Sequence, residues 1–417
     1  MTRSKTLAAL DIGSSKIATL IAQVNEENNI NIIGSSALPS RGIKRGQVID
    51  IEEATEAIIA SVEAAERMAG YNLGHTFISV GGAHIVSQNS RGVVAVANSG
   101  NDITKNDVYR VLEAAQAISL PASREITHVI PRLYTVDSQE GIADPIGMSG
   151  IRLEVETHII TASSTAIRNL QKCVNEVGAN IDGIVFDALA SATAVITPTE
   201  KELGVILVDI GGGTTSVVIL SEGSPIFSLV LPMGAQNITN DLAIGLRLSI
   251  EEAEKLKLAL NQKAEENSKE INFKKLGIEN KDQKITKKMI VEEIIKPRLE
   301  ELFGMISDEI RRNDFSGIAP AGVVLTGGGA QTISAVETCR RTMALPVRIG
   351  IPKGVTGLVD DIFTPEFATT VGLILWKKQA SPKEPSFNLD KVRKKLPNLP
   401  IRSTLEKTIK FIKSFLP

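Results

Sequence analysis

Residues 203–220, LGVILVDIGGGTTSVVIL, decide the fold. Val205 to Val208 form a near-continuous apolar run that reads as a buried strand. The run ends on Asp209 and Ile210, then three glycines, Gly211, Gly212 and Gly213, then Thr214 and Thr215. A second β-branched run, 217–220, resumes at once. Strand, tight glycine turn and strand make a hairpin with an acid at its tip. Adjacent glycines let backbone N–H groups converge on an anion with no Cβ in the way. The two threonine hydroxyls add donors. An aspartate repels a phosphate, so a Mg²⁺ ion or a water between them is the natural arrangement. The same pattern also suits a structural glycine bulge in a sheet.

A second copy opens the chain. Residues 7–20, LAALDIGSSKIATL, place Asp11, Ile12, Gly13, Ser14 and Ser15 between an apolar strand and a return strand over 17–21. Lys16 follows the turn, placed either to reach a phosphate or to sit solvated at a strand end. A third glycine turn, VVLTGGGAQ over 323–331, carries Gly327, Gly328 and Gly329 with no preceding acid, and 332–341 looks helical. Two acid-bearing hairpins plus an acid-free one suit a nucleotide held between two related half-domains. The hairpins would clamp the phosphates and the metal. The third loop would sit under the base and ribose.

These residues resemble the phosphate and adenosine motifs of the actin, sugar kinase and DnaK-type chaperone superfamily. More closely, the chain resembles FtsA, the actin-like membrane tether of the bacterial division ring. RGIKRGQVIDIEEATEAI (41–58), ISVGGAHI (78–85), EKELGVILVDIGGGTTSVVIL (200–220) and NITNDLAIGLRLSIEEAEKLK (237–257) carry the likeness, which runs nearly end to end. It implies an α/β, actin-like two-lobed ATPase fold with a nucleotide cleft between the halves and an inserted α+β subdomain in the first half. It further implies ATP with Mg²⁺ as ligand, with Asp11 and Asp209 holding the metal through waters. Gly13, Ser14, Ser15, Gly211 to Gly213, Thr214 and Thr215 would cradle phosphates.

The expected domains follow the chain. The first lobe takes 1–82 and 164–198, interrupted by the inserted subdomain at 83–163. The second lobe takes 199–231 and 319–364 as core and 232–318 as lid. A connecting helix at 365–378 returns to the first lobe. A linker at 379–398 and an amphipathic helix at 399–417 follow. Within the first lobe, 51–70 reads as a helix capped by Asp50. In the insert, 85–88, 92–97, 128–136 and 153–161 read as strands and 107–118 as a helix. His84, His128 and His158 fall there and read as structural. Helices are also expected over 164–178, 186–196, 237–245, 249–260 and 366–376, and one or two over 289–312, with a loop at 346–357. Asp187 opens the 186–196 helix, where superfamily members place a residue that orients the attacking water; a helix N-cap is the alternative role. Glu254 and Lys257 lie three apart and share a helix face. Relatives use such a pair on the ribose hydroxyls and base edge, although a solvated charged face has the same pattern. The polar stretch 261–288 is less regular than the family leads one to expect.

Composition sets the bounds. A chain of 417 residues with 43% hydrophobic and 23% charged residues has room for several cores. A net charge of −2 and 4% aromatics argue against a nucleic-acid partner. Cys173 and Cys339 have no metal-binding spacing and read as reduced thiols. The polar opening at 1–6 implies no signal peptide. No apolar run reaches the length of a membrane span.

Residues 377–399 are lysine-rich, broken by Pro382, Pro385 and Pro397, and read as a flexible tether. In the final IRSTLEKTIKFIKSFLP, Ile401, Leu405, Ile409, Ile412 and Leu416 share one helical stripe, with Phe411 and Phe415 beside it. Lys407, Lys410 and Lys413 lie opposite. Such a helix suits the plane of an anionic bilayer, each lysine giving about 1 kcal/mol. One copy binds reversibly, so lasting attachment calls for several side by side, a physical reason to polymerise.

The FtsA resemblance and this tail together imply a cell-division protein that forms filaments and ties FtsZ, through its C-terminal peptide, to the cytoplasmic face of the inner membrane at the division site. They also imply recruitment of later division proteins and at most slow ATPase activity. A PilM-like pilus assembly protein shares the fold and insert, but the terminal helix argues against it. A sugar-kinase-type phosphotransferase needs an acceptor pocket, and an MreB-like scaffold lacks the insert.

Overall fold

A computed structural model describes residues 5–97, 100, 102–261, 271, 273–278, 285–357 and 360–379. The expected linker and amphipathic helix, from Ile401 to Leu416 included, lie outside the described residues, as does most of 261–288.

The chain opens as an antiparallel meander of β1 (Lys5–Ile12), β2 (Lys16–Val24) and β3 (Ile30–Pro39). A small hairpin, β4 (Ile43–Lys44) and β5 (Gln47–Val48), leads into α1 (Ile51–Ala69). The helix ends are written in the sequence. The Asp50 carboxylate accepts the Glu53 N–H at 3.0 Å, and Gly70 closes the helix in the left-handed region. Ala54, Ile58, Val62 and Ala65 recur at helical spacing and are buried. Gly34 on β3 lets the helix close in, since a Cβ there would lie 2.5 Å from the Ala65 carbonyl oxygen. Strand β6 (His75–Val80) follows.

The insert contains β7 (Val86–Ala95), α2 (Lys105–Gln116), β8 (Arg124–Val136), β9 (Gln139–Ile142) and β10 (Arg152–Ser163). Its strands form their own sheet in the order β7-β10-β8-β9. Where two strands are expected over 85–97, the structure runs one. Gly92 does not break it but makes room: a Cβ there would lie 2.2 Å from the Val111 carbonyl of α2. The chain returns through α3 (Ser164–Glu176), β11 (Asn180–Phe186), α4 (Asp187–Val195) and α5 (Pro198–Leu203).

The second lobe repeats the plan with β12 (Val205–Ile210), β13 (Thr215–Ser221) and β14 (Ser224–Leu231). Helices α6 (Ala235–Leu246), α7 (Ile250–Leu260), α8 (Lys287–Ile290) and α9 (Lys296–Arg312) follow. A π-helical turn, Val291–Ile295, joins the last two, and Pro297 sits in the first turn of α9, where a missing N–H costs little. Then come β15 (Val323–Thr326), α10 (Ala335–Met343), β16 (Val347–Ile349), β17 (Thr356–Gly357) and α11 (Ala368–Gln379). The expected 346–357 loop therefore includes two short strands, both recruited as sheet edges.

Among the described residues the two lobe sheets have matching order, β11-β6-β1-β2-β3-β17 and β14-β13-β12-β15-β16. In each, an antiparallel meander is extended by parallel strands on its first member: β6 then β11 beside β1, β15 then β16 beside β12. Both acid-tipped hairpins thus occupy equivalent positions, and both tips emerge at the same kind of sheet end.

Two histidines of the insert, His158 and His128, are held by hydrogen bonds within the fold. His158 lies between Asn89 Oδ1 at 2.7 Å and Ser228 Oγ of β14 at 2.9 Å. His128 Nε2 accepts the Phe186 N–H at 2.9 Å. Burial lowers His158 to about 3 and His128 to about 4, which keeps both neutral.

Helices α4 and α11 cross in direct backbone contact. A Cβ on the buried Gly372 would lie 1.8 Å from the Ala190 carbonyl oxygen. Gly372→Ala should therefore destabilise the protein by roughly 1–3 kcal/mol, as overpacking does. Gly304, in α9, has nothing within 4 Å of a built Cβ. Gly304→Ala should stabilise by about 0.5–1 kcal/mol through helix propensity. Urea denaturation of both variants checks the pair; equal midpoints would contradict the helix crossing as described.

Candidate functional site

The two hairpins close by the same backbone bond. Gly13 N–H donates to the Lys16 carbonyl at 3.0 Å, and Gly211 N–H to the Thr214 carbonyl at 2.9 Å. This alignment places Ser14 and Ser15 opposite Gly212 and Gly213, not opposite the threonines. The difference has a steric cause. A Cβ on Gly212 would lie 2.7 Å from Ser15 Cβ, and one on Gly213 would lie 2.9 Å from Ser14 Cβ. The tips face each other, and serines on one side require glycines on the other. Ser14 Oγ also accepts the Gly46 N–H at 2.9 Å, tying the loop before β5 to the tip.

Three carboxylates gather behind the tips, each held by hydroxyl donors. Asp11 Oδ1 accepts Ser79 Oγ of β6 at 2.7 Å. Asp209 Oδ2 accepts Ser191 Oγ at 2.5 Å and Thr369 Oγ1 at 3.1 Å. Asp187 Oδ2 accepts Ser216 Oγ of β13 at 2.9 Å. Burial raises all three above the ordinary carboxylate range. Asp209 reaches about 6, the Ser191 hydroxyl opposing and the Asp11 charge adding. Asp187 lies well above its usual value through burial, then the Asp209 charge, with Asp11 contributing. Asp11 is raised by burial against the pull of Ser79 and Lys16. The Asp11 charge thus acts on both Asp187 and Asp209, and a cation placed among the three would offset that repulsion. Among the described residues no three His, Cys, Asp or Glu come together as a direct metal cage.

Asp187 is the first residue of α4, while Phe186 occupies the cap position. Its Oδ1 still accepts a first-turn N–H, that of Ala188 at 2.6 Å, while Oδ2 reaches across to β13, so both roles are combined in one carboxylate. Gly81 leaves room for it, since a Cβ there would lie 2.1 Å from Asp187 Oδ2. Lys16 is held by the segment before α11. Its Nζ donates to the Glu366 carbonyl at 2.7 Å, lies 3.4 Å from the Glu366 carboxylate and sits 4.2 Å above the Phe367 ring. The Thr215 hydroxyl donates to the Met233 carbonyl at 2.8 Å, so it braces the turn from behind.

The second-lobe helices come up beneath the glycine turn. Ala235 N–H donates to Gly211 O and Gln236 N–H to Gly212 O, both at 2.9 Å. Gly234 permits this approach, since its Cβ would lie 2.5 Å from Gly212 O. Lys257 is buried, bonding Thr239 Oγ1 at 2.8 Å, Ala235 O at 3.3 Å and Glu254 Oε2 at 2.7 Å. Lys257 is therefore not part of a solvated face; it anchors α7 to the start of α6, while Glu254 stays partly exposed. The acid-free loop lies behind Asp209. A Cβ on Gly327, which has φ +79°, would meet Asp209 Oδ1 at 2.3 Å, and one on Gly329 would meet Ile210 Cγ2 at 2.4 Å. Gly328 lies between them, opening a single 3-10 turn. A groove of about 430 Å³ opens beside this loop, lined by Gln331, Ser334, Glu337 and Arg340 among others, and reaches none of the three aspartates.

Ser79, Ser191, Ser216 and Thr369 do not stand out in the sequence. Their signal is a hydroxyl or two inside an otherwise apolar segment, as in DALASATAV and ATTVGLIL.

Comparison with known proteins gives the family and the fold. Residues 82–161 match the family model described as the SHS2 domain inserted in FtsA, and residues 206–372 match the model for cell division protein FtsA. The FtsA of Pseudomonas aeruginosa is 38% identical over 379 residues, 90% of each chain. That of Bacillus subtilis is 36% identical, covering 90% of this chain and 84% of its own. That of Escherichia coli is 32% identical, covering 91% and 92%. Among solved structures, a chain of the PilM–PilN type IV pilus biogenesis complex superposes with a TM-score of 0.65 at 17% identity, covering 91% of this chain and 99% of that one. MreB5 of Spiroplasma citri bound to ADP superposes with a TM-score of 0.52 at 14% identity, covering 90% and 97%. These two likenesses show the actin-like fold. The extent and level of identity to the division proteins go further, and the chain belongs to the cell division protein FtsA family.

Proposed function

We propose that this chain binds ATP with Mg²⁺ between its acid-tipped hairpins, forms filaments, and ties FtsZ to the cytoplasmic face of the inner membrane. The observation that carries the nucleotide reading is the meeting of two equivalent tips, Ser14–Ser15 against Gly212–Gly213, over three carboxylates, Asp209 buried and Asp11 and Asp187 partly so. The donor set fits the ligand. Aspartate oxygens suit Mg²⁺, which keeps several waters and takes phosphate oxygens beside one or two carboxylates. Magnesium, when bound, offsets the phosphate charge that faces Asp11 and Asp209.

The chain's own residues do the rest. Backbone N–H groups of Gly212 and Gly213, with the hydroxyls of Ser14, Ser15 and Thr214, cradle phosphates, while the Gly13 and Gly211 N–H groups hold their hairpins closed around them. Lys16 lends positive charge from beside the first tip. Asp187, turned by Ser216, is placed to orient an attacking water, in a site whose hydrolysis is at most slow and switches the polymer. Glu254, with Lys257 fixing its helix, and Gly327 to Gly329 face the ribose and base.

Three further assignments complete the proposal. The 232–318 lid takes the FtsZ C-terminal peptide. The insert meets neighbouring copies and later division proteins. The 399–417 segment lies on anionic lipid. Family membership supports all three, and the charge and apolar stripes of the last segment support the third. Among the described residues no helix is long and apolar enough to cross a membrane.

Asp11→Asn combined with Asp209→Asn should weaken Mg·ATP binding by at least about ten-fold, the loss typical when groups orienting a metal are removed. Titration with a fluorescent ATP analogue measures this, and unchanged affinity would overturn the nucleotide site. Truncation after Asn398 should abolish co-sedimentation with anionic liposomes in the presence of ATP. Equal sedimentation of the full-length and truncated proteins would remove the membrane assignment.

A further inference from the structure

The two aspartates at the hairpin tips are held differently. Asp11 takes its hydroxyl donor, Ser79, from β6 of its own sheet. Asp209 takes both of its donors from outside its sheet, Ser191 from α4 and Thr369 from α11. The two hydroxyls lie 2.9 Å apart and are buried. A buried serine or threonine in a helix commonly bonds a carbonyl one turn back. Thr193 does so, donating to the Leu189 carbonyl at 2.9 Å. Ser191 and Thr369 instead reach across to the same carboxylate oxygen. The other oxygen, Oδ1, is confined by Gly327. The Asp209 carboxylate is thereby fixed on both sides.

The hydroxyls also sit at the helix crossing. Ser191 adjoins Ala190, and Thr369 lies one turn before Gly372, the two residues whose backbones touch. Any change in the crossing angle moves the two donors relative to each other and to Asp209. No such dependence acts on Asp11.

We infer that Ser191 and Thr369 are positioning residues that aim Asp209 at the metal–phosphate group and make that aim depend on how α4 and α11 cross. The α4–α11 crossing and metal-dependent nucleotide binding are then one linked equilibrium, and each biases the other by the same factor. This rests on the proposal that Asp209 faces Mg·ATP.

The test uses the full-length protein and a fluorescent ATP analogue, titrated with Mg²⁺ and with EDTA. Ser191→Ala and Thr369→Val should each weaken Mg²⁺-dependent binding by about ten-fold, in the range for removing a group behind a metal ligand. Binding in EDTA should stay as in the wild type, and Thr369→Ser, which keeps the hydroxyl, should retain the Mg²⁺ effect. Hydrogen exchange gives a second reading: Mg·ATP should protect α4 and α11 in the wild type and fail to do so in Ser191→Ala. Variants that bind Mg·ATP like the wild type would overturn the inference. So would an equal loss with and without Mg²⁺, which marks a packing role alone. If Thr369→Val does not fold, Ser191→Ala decides. Asp209→Asn separates the two levels. Loss there with no loss in the hydroxyl variants defeats only this inference, whereas full Mg²⁺-dependent binding by Asp209→Asn defeats the nucleotide site beneath it.

Discussion

A carboxylate taken out of water destabilises a fold unless donors or a cation meet its charge. Asp209 is where this molecule meets that constraint most fully. Strand β12 delivers it, helices α4 and α11 supply its two hydroxyl donors, and the loop after β15 closes against its free oxygen. Four segments distant in sequence are arranged so that one acid can stay buried. Asp11 and Asp187 add their fields to the same gap. An anionic cluster of this kind is poorly suited to a structural core and well suited to a ligand that brings a divalent cation.

The duplicated sheets explain how the cluster arises. Each meander ends a strand on an aspartate and turns on a glycine, so two copies placed tip to tip bring the acids to opposite walls of one gap. The copies then diverge where identity would clash. Serines on the first tip occupy the volume that glycines leave on the second. The second copy also receives the N-terminus of α6 under its turn, through Gly234, with Lys257 binding α7 to that helix start. Near-symmetry sets the architecture, and its local failures fit each half to its neighbour.

Much of this was legible in the chain. The hairpins, the Asp50 and Gly70 helix ends and the interruption of the first lobe all follow from apolar period, glycine and capping residues. Other features were not, for identifiable reasons. Residues 89–91 fell between two expected strands because Asn89, Ser90 and Arg91 are all polar, yet each pairs along β10. Strands β9, β16 and β17 are short and lie at sheet edges, where pattern is weak. Asp187 looked like a helix cap because the cap position and the first helical residue differ by a single place in sequence, while the Ser216 contact lies 29 positions away. Ser191 and Thr369 were invisible for the same reason: each is one hydroxyl in an apolar helix, and only the crossing gives it a partner.

The central claim is that the two tips grip one metal-bound triphosphate from opposite walls. The most direct measurement is a crystal structure with Mn²⁺ and a non-hydrolysable ATP analogue, with anomalous difference density collected at the manganese edge. The account predicts a single strong peak between Asp11 and Asp209, reached through waters, with the phosphates under the Gly13 and Gly211 turns. A peak elsewhere, or phosphates lying outside both turns, would contradict it.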